Sequence, residues 1–67
     1  MKRLTIGERL LKERKRRGLT RESVAMDLDV SVQTTRGWEI GITTPDKDNE
    51  RIVETWLFES YAKKESR

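Results

Sequence analysis

Between Thr20 and Gly41 the sequence reads TRESVAMDLDVSVQTTRGWEIG, and its spacing leaves few folds open. Thr20 can cap a short helix whose apolar face is Val24, Ala25 and Leu28. Ser31 can cap another that runs through Glu39 and closes at Gly41. Only Leu28-Asp29-Val30 lies between them. Two helices joined that tightly must cross steeply and pack closely. Ala25 suits that approach, because a larger side chain would push the helices apart. Val30 can plug the bend, and Trp38 can reach back into the core.

The flanks read as helix too. Thr5-Ile6-Gly7-Glu8 has the T-x-x-E spacing of a capping box. Ile6, Leu10 and Leu11 follow at helical spacing, Arg14 and Arg17 extend the stripe, and Gly18 is a natural stop. Pro45 ends the connection ITTP. From about Asp48 to Lys63 a last helix carries Ile52, Val53, Trp56, Leu57, Ser60 and Tyr61 on one face, and the tail KKESR is expected to fray. There is no strand signal, repeat or low-complexity segment. The expectation is an all-α chain of four helices in one domain over residues 1–67, with the central helix pair at about 20–39 and the C-terminal helix at about 48–63.

Composition narrows the function classes. A chain of 67 residues buries only about 60% of its unfolded surface. With 33% apolar and 40% charged residues, its core must be small and helix-built. The absence of cysteine and histidine removes disulfides, the usual zinc ligand sets and histidine acid–base chemistry. No nucleophile is paired with a base, so no catalytic residue, metal site, cofactor or small-molecule substrate is expected. No apolar run approaches the ~20 residues that span a bilayer, and no signal-peptide core is present. The expectation is a cytoplasmic protein without a membrane partner. The formal charge of +3 is unevenly spread: KERKRR spans Lys12 to Arg17, whereas Asp46, Asp48, Glu50, Glu54 and Glu59 gather later. A basic half beside an acidic half suits a polyanion on one side. Glu13 interrupts the run, and a solvated helix face explains it better than an arginine-rich RNA-binding helix.

The segment IGERLLKERKRRGLTRESVAMDLDVSVQTTRGWEIGITTP, from Ile6 to Pro45, resembles the lambda-repressor-like (Cro/cI, Xre-type) helix-turn-helix family. The resemblance rests on Arg14, Gly18, Leu19 and Thr20 in the RxxxGLT pattern, on the VA pair, on VS opening the recognition helix and on WEIG closing it. It implies a lambda-repressor-like domain of four helices, or five if the last segment breaks as it does in the family. It also implies a structural ion pair between Arg14 and Glu39. The chain departs from the family at Arg21, usually Gln, at Asp29, usually Gly, and at Thr35, usually Ile or Val. DKDNERIVETWLFESYAKK, which reads as a single helix, also differs.

In such a fold the start of the recognition helix enters the DNA major groove. Val32, Gln33, Arg36 and Gly37 lie three to four apart and share a face. Gln33 can pair with adenine, Val32 can pack on a thymine methyl, and Arg36 can fork onto guanine or a phosphate. Gly37 would let backbone approach the DNA and leave Arg36 room to swing. Thr20, Arg21, Ser31, Thr43, Thr44 and Lys47 are the candidates for the DNA backbone. Trp56, Phe58 and Tyr61 are candidates for a homodimer surface, with Phe58 off the apolar stripe. The function this implies is a Cro-like phage or mobile-element repressor that binds a pseudo-palindromic operator as a dimer. The alternative is an antitoxin-like or anti-repressor module that uses the same fold to contact another protein.

Overall fold

The computed structural model describes residues 3–65, with side chains through Glu59. Four helices, and no strand, are found among the described residues: α1 (Ile6–Arg16), α2 (Arg21–Leu28), α3 (Val32–Ile40) and α4 (Lys47–Glu65). Each start is fixed locally. The Glu8 N–H donates to Thr5 Oγ1 at 3.1 Å, and the Thr5 N–H donates back to Glu8 Oε1 at 2.8 Å, completing a capping box. Thr20 caps α2 through the Ser23 N–H at 3.1 Å, and Ser31 caps α3 through the Thr34 N–H at 3.0 Å. Asp46 accepts from the Asn49 N–H at 2.9 Å, which starts α4 one residue before the expected Asp48.

The first three helices end alike. Gly18, Asp29 and Gly41 take positive φ, and in each case the next N–H reaches back five residues. Leu19 donates to the Arg14 carbonyl, Val30 to Ala25 and Ile42 to Gly37, at 3.0 to 3.1 Å. Asp29 does this at φ 60 and ψ 43, the left-handed region that glycine enters without strain and that aspartate tolerates. The turn therefore comprises Asp29, Val30 and Ser31, one residue later than the spacing suggested, because Leu28 still belongs to α2. Likewise α3 includes Ile40 before Gly41 stops it.

The core contains Leu10, Val24, Ala25, Leu28, Trp38, Val53, Trp56 and Leu57. Ile6, Leu19 and Val30 pack against it. Thr35 is wholly buried, and its hydroxyl is satisfied by donating to the Ser31 carbonyl at 3.1 Å. Helices α1 and α3 approach closely at Gly7: a Cβ there would stand 1.9 Å from the Trp38 carbonyl oxygen, so only glycine fits. On α4 two expectations change. Ile52 lies on the outside, and the backbone stays helical to Glu65 rather than fraying from Lys63. The helix has no break, and no fifth helix is present among the described residues. The side chains of Ser60 and Tyr61, placed on the apolar face by periodicity, lie outside the described residues, as do Ser66 and Arg67 entirely.

Candidate nucleic-acid interface

Helix α3 has two faces. Thr35, Trp38 and Glu39 are buried. Gln33 and Arg36 are exposed on the opposite side, while Val32, Thr34 and Gly37 are half-buried. What holds the inner face is a carboxylate shared by two guanidinium groups. Arg14 grips Glu39 bidentately, with Nε to Oε2 at 2.8 Å and Nη2 to Oε1 at 3.2 Å. It also donates from Nη1 to the Leu19 carbonyl at 3.1 Å. From α2, Arg21 Nε donates to the same Oε1 at 2.9 Å. The Glu39 side chain is 0% exposed, so its charge depends entirely on these donors. One carboxylate between two guanidinium groups leaves a surplus positive charge. The more open member, Arg21, stands at the first position of α2 with its side chain 31% exposed.

The remaining backbone candidates sort by what their polar atoms already do. The Ser31 hydroxyl accepts from the Thr34 N–H and donates to Thr34 Oγ1 at 2.8 Å, so its capping work fills both roles. The Thr20 hydroxyl accepts from Ser23 and keeps its proton for another acceptor. Thr43, Thr44 and Lys47 are exposed beyond α3. Lys47 opens α4, where a cation opposes the helix dipole.

Gly37 has a role that the sequence did not suggest. Its carbonyl accepts from the N–H groups of Gly41, Ile42 and Thr43, at 3.1, 3.0 and 3.3 Å. A Cβ at Gly37 would meet Thr43 Oγ1 at 2.9 Å. The space is taken by the chain's own loop folding back on the helix.

The basic run on α1 is largely engaged within the fold. Besides Arg14, Arg16 forks onto the buried Glu13 at 2.9 and 2.6 Å. The Arg17 guanidinium lies 4.8 Å from the centroid of Trp56. Trp56 is core and only 8% exposed, with its indole N–H directed at Asp27 Oδ2 at 3.4 Å. The ring of Trp56, a candidate dimer residue, fills the interior between α1, α2 and α4. Phe58, 71% exposed, remains on the outside, and the Tyr61 side chain lies outside the described residues.

A family model described as helix-turn-helix matches residues 10–49, well over half of the 67-residue chain. The chain belongs to this Cro/cI-like, Xre-type helix-turn-helix family. No curated protein and no solved structure matches it. The match takes in α1 from Leu10, α2, the turn, α3 and its following loop, and stops in the first turn of α4. Membership makes the protein a DNA-binding helix-turn-helix regulator, of a family that is not typically enzymatic. The recognition helix of the helix-turn-helix pair is α3. Among the described residues no helix is long and apolar enough to cross a membrane.

Three features of this helix-turn-helix unit escaped the sequence. They are the Gly7 contact, the second arginine on Glu39 and the Gly37 loop seat. Each is made between residues far apart in the chain or in a loop without periodicity. The only available signals were Gly7 inside a capping box and Gly37 inside a helix.

Proposed function

We propose that the protein is a sequence-specific repressor of phage or mobile-element type, acting as a homodimer on a pseudo-palindromic operator. The observation that carries this reading is the two-sided α3. Its inner face, Thr35, Trp38 and Glu39, is buried and held at Glu39 by Arg14 and Arg21, and its outer face presents Gln33 and Arg36 uncommitted to any partner among the described residues. A helix held so firmly can present side chains to base edges in a fixed register. Val32, Gln33 and Arg36 read bases, each bidentate pair contributing about 1–3 kcal/mol of discrimination. Thr20, Arg21, Thr44 and Lys47 grip the backbone and set the register. Occupancy of the operator would then exclude polymerase.

The test is selection of bound sites from a random duplex library, by the wild type and by Gln33→Ala in parallel. A single preferred site for the wild type and a relaxed position for the variant are expected. An unchanged preference in Gln33→Ala removes Gln33 from base reading. The protein-interaction alternative is favoured by the exposed Phe58 and the 81%-exposed Met26. Salt separates the two readings, because phosphate contacts make log K fall linearly with log salt and an apolar contact does not.

A further inference from the structure

We infer that α4 pairs antiparallel with a second copy of this chain, with the two-fold axis at Thr55 and Phe58 of each copy seated in the α2–α4 groove of the other. The inference rests on the homodimer proposed above and deepens it by naming the face, the register and the charge pair.

Between α2 and α4 lies an open groove of about 340 Å³. Its apolar lining is Leu28, Ile52 and Trp56, and Arg51, Thr55 and Glu59 of α4 also line it. That volume is at the lower end of what holds a small organic molecule, so one aromatic ring fits. Phe58 of the same chain does not line the groove and stands exposed beside it. Arg51, Ile52, Thr55 and Glu59 are exposed as well. Arg51, Ile52, Phe58 and Glu59 each lie three or four residues from Thr55, so they surround it on the helix surface.

The pattern around Thr55 is its own complement when the helix is reversed. Four residues before it stands a cation, Arg51, and four after it an anion, Glu59. Three before and three after stand the apolar Ile52 and Phe58. Two copies crossing antiparallel at Thr55 set each Arg51 level with the other's Glu59. The same crossing sets each Phe58 level with the other's Ile52, which lines the groove. Every contact then occurs twice, as an isologous two-fold interface requires. A parallel pairing would instead oppose like charges, and a partner of another sequence has no reason to match a self-complementary pattern.

The charges are available for this. Neither Arg51 nor Glu59 makes an ion pair among the described residues, whereas Glu54 on the same helix is already held by Arg9. Thr55, short and on the axis, lets the two helices approach closely. The face starts at Arg51, beyond the family match that ends at residue 49, so it is particular to this chain. No residue of α3 lines the groove, so pairing leaves Gln33 and Arg36 outside the contact.

The experiment is sedimentation equilibrium of the full chain, free and on the palindromic duplex selected by the wild type, with thermal melts alongside. Arg51→Glu alone and Glu59→Arg alone oppose like charges twice, and each should weaken self-association about 10- to 100-fold. Both substitutions in one chain restore opposite charges and should restore association. An equimolar mixture of the two single variants should also associate, as a heterodimer. Thr55→Cys, in a chain without other cysteine, should form an intermolecular disulfide in air. Helices 8–10 Å apart bring the facing Cα atoms to about 4–6 Å, within disulfide range. Lys12→Cys, on α1, should cross-link far more slowly. Single variants that associate like the wild type, or a double variant and a mixture no tighter than the singles, overturn this register and leave the homodimer standing. So does a Thr55→Cys chain that cross-links no faster than Lys12→Cys. A wild type that stays monomeric at high micromolar concentration, free and on the duplex, overturns the homodimer as well.

Discussion

Arg21 Nε donates to Glu39 Oε1 at 2.9 Å, on the oxygen that also accepts from Arg14 Nη2 at 3.2 Å. Glu39 stands near the end of α3, Arg14 in α1 and Arg21 at the start of α2, so one buried carboxylate ties three helices together. The two arginines are not equivalent. Arg14 is 11% exposed and bidentate, and it also holds the Leu19 carbonyl, whereas Arg21 makes a single bond from the rim.

Removing the carboxylate should therefore be the more damaging change. Glu39→Ala leaves two guanidinium groups facing each other, one of them nearly buried, and should cost about 3–5 kcal/mol. At ~0.05–0.15 kcal/mol per residue, the whole domain has only about 3–10 kcal/mol. Urea denaturation should show Glu39→Ala with a much lower midpoint than the wild type, its stability reduced by about 3–5 kcal/mol. Arg21→Ala should fold with a loss of about 1 kcal/mol or less, as expected for a half-open pair in solvent-screened surroundings. Equal losses for the two variants would contradict this division of labour.

Arg21→Gln isolates the electrostatic role. Arg14 still satisfies Glu39 in this variant, so the fold and the selected site should persist. If the Arg21 guanidinium reaches a phosphate, the slope of log K against log salt should shrink by about 0.9. The affinity loss should be uniform across sequences. Titrations at several salt concentrations check this, and an unaltered slope would confine Arg21 to its structural bond.

Local signals were the legible ones. The caps at Thr5, Thr20 and Ser31 each bond within three residues, so the chain spells them out. The buried Val24, Ala25 and Leu28 follow from periodicity alone. The candidate interface was less legible. The sequence offered Arg21 as a phosphate ligand and gave no sign of its bond to Glu39, which lies a helix away. Gly37 was noticeable as a glycine inside a helix, but its cause lies in a loop that folds back on it. Trp56 and Phe58 are near neighbours in sequence, and periodicity already separated them: Trp56 lies on the apolar stripe and is buried, whereas Phe58 lies off it and is exposed.

Two backbone positions make opposite predictions. A methyl group on Gly7 would press into the Trp38 carbonyl, whose nearest approach of 1.9 Å is far inside van der Waals contact. Gly7→Ala should separate α1 from α3 and cost about 1–3 kcal/mol or more. At Asp29, φ 60 already strains a side-chain-bearing residue. Asp29→Gly should stabilise the fold by up to about 1 kcal/mol, after the larger entropy of the unfolded glycine is deducted. Denaturant midpoints test both, and a Gly7→Ala variant as stable as the wild type would refute the close approach.

The dimer is best tested through the contrast between Trp56 and Phe58. Trp56 packs in the core beneath Arg17, so Trp56→Ala should open a cavity and cost about 3–5 kcal/mol, a large part of the total stability. Phe58 is exposed on α4, on the part of the helix beyond the family match. Phe58→Ser removes apolar surface from water, so the monomer should keep its stability. If α4 pairs with a second copy through this face, sedimentation should show the wild type associating at micromolar concentration and Phe58→Ser remaining monomeric. The variant should then occupy single half-sites on a palindromic duplex, with weaker and non-cooperative binding. A wild type that sediments as a monomer both free and on DNA would remove the homodimer while leaving the recognition surface of α3 intact.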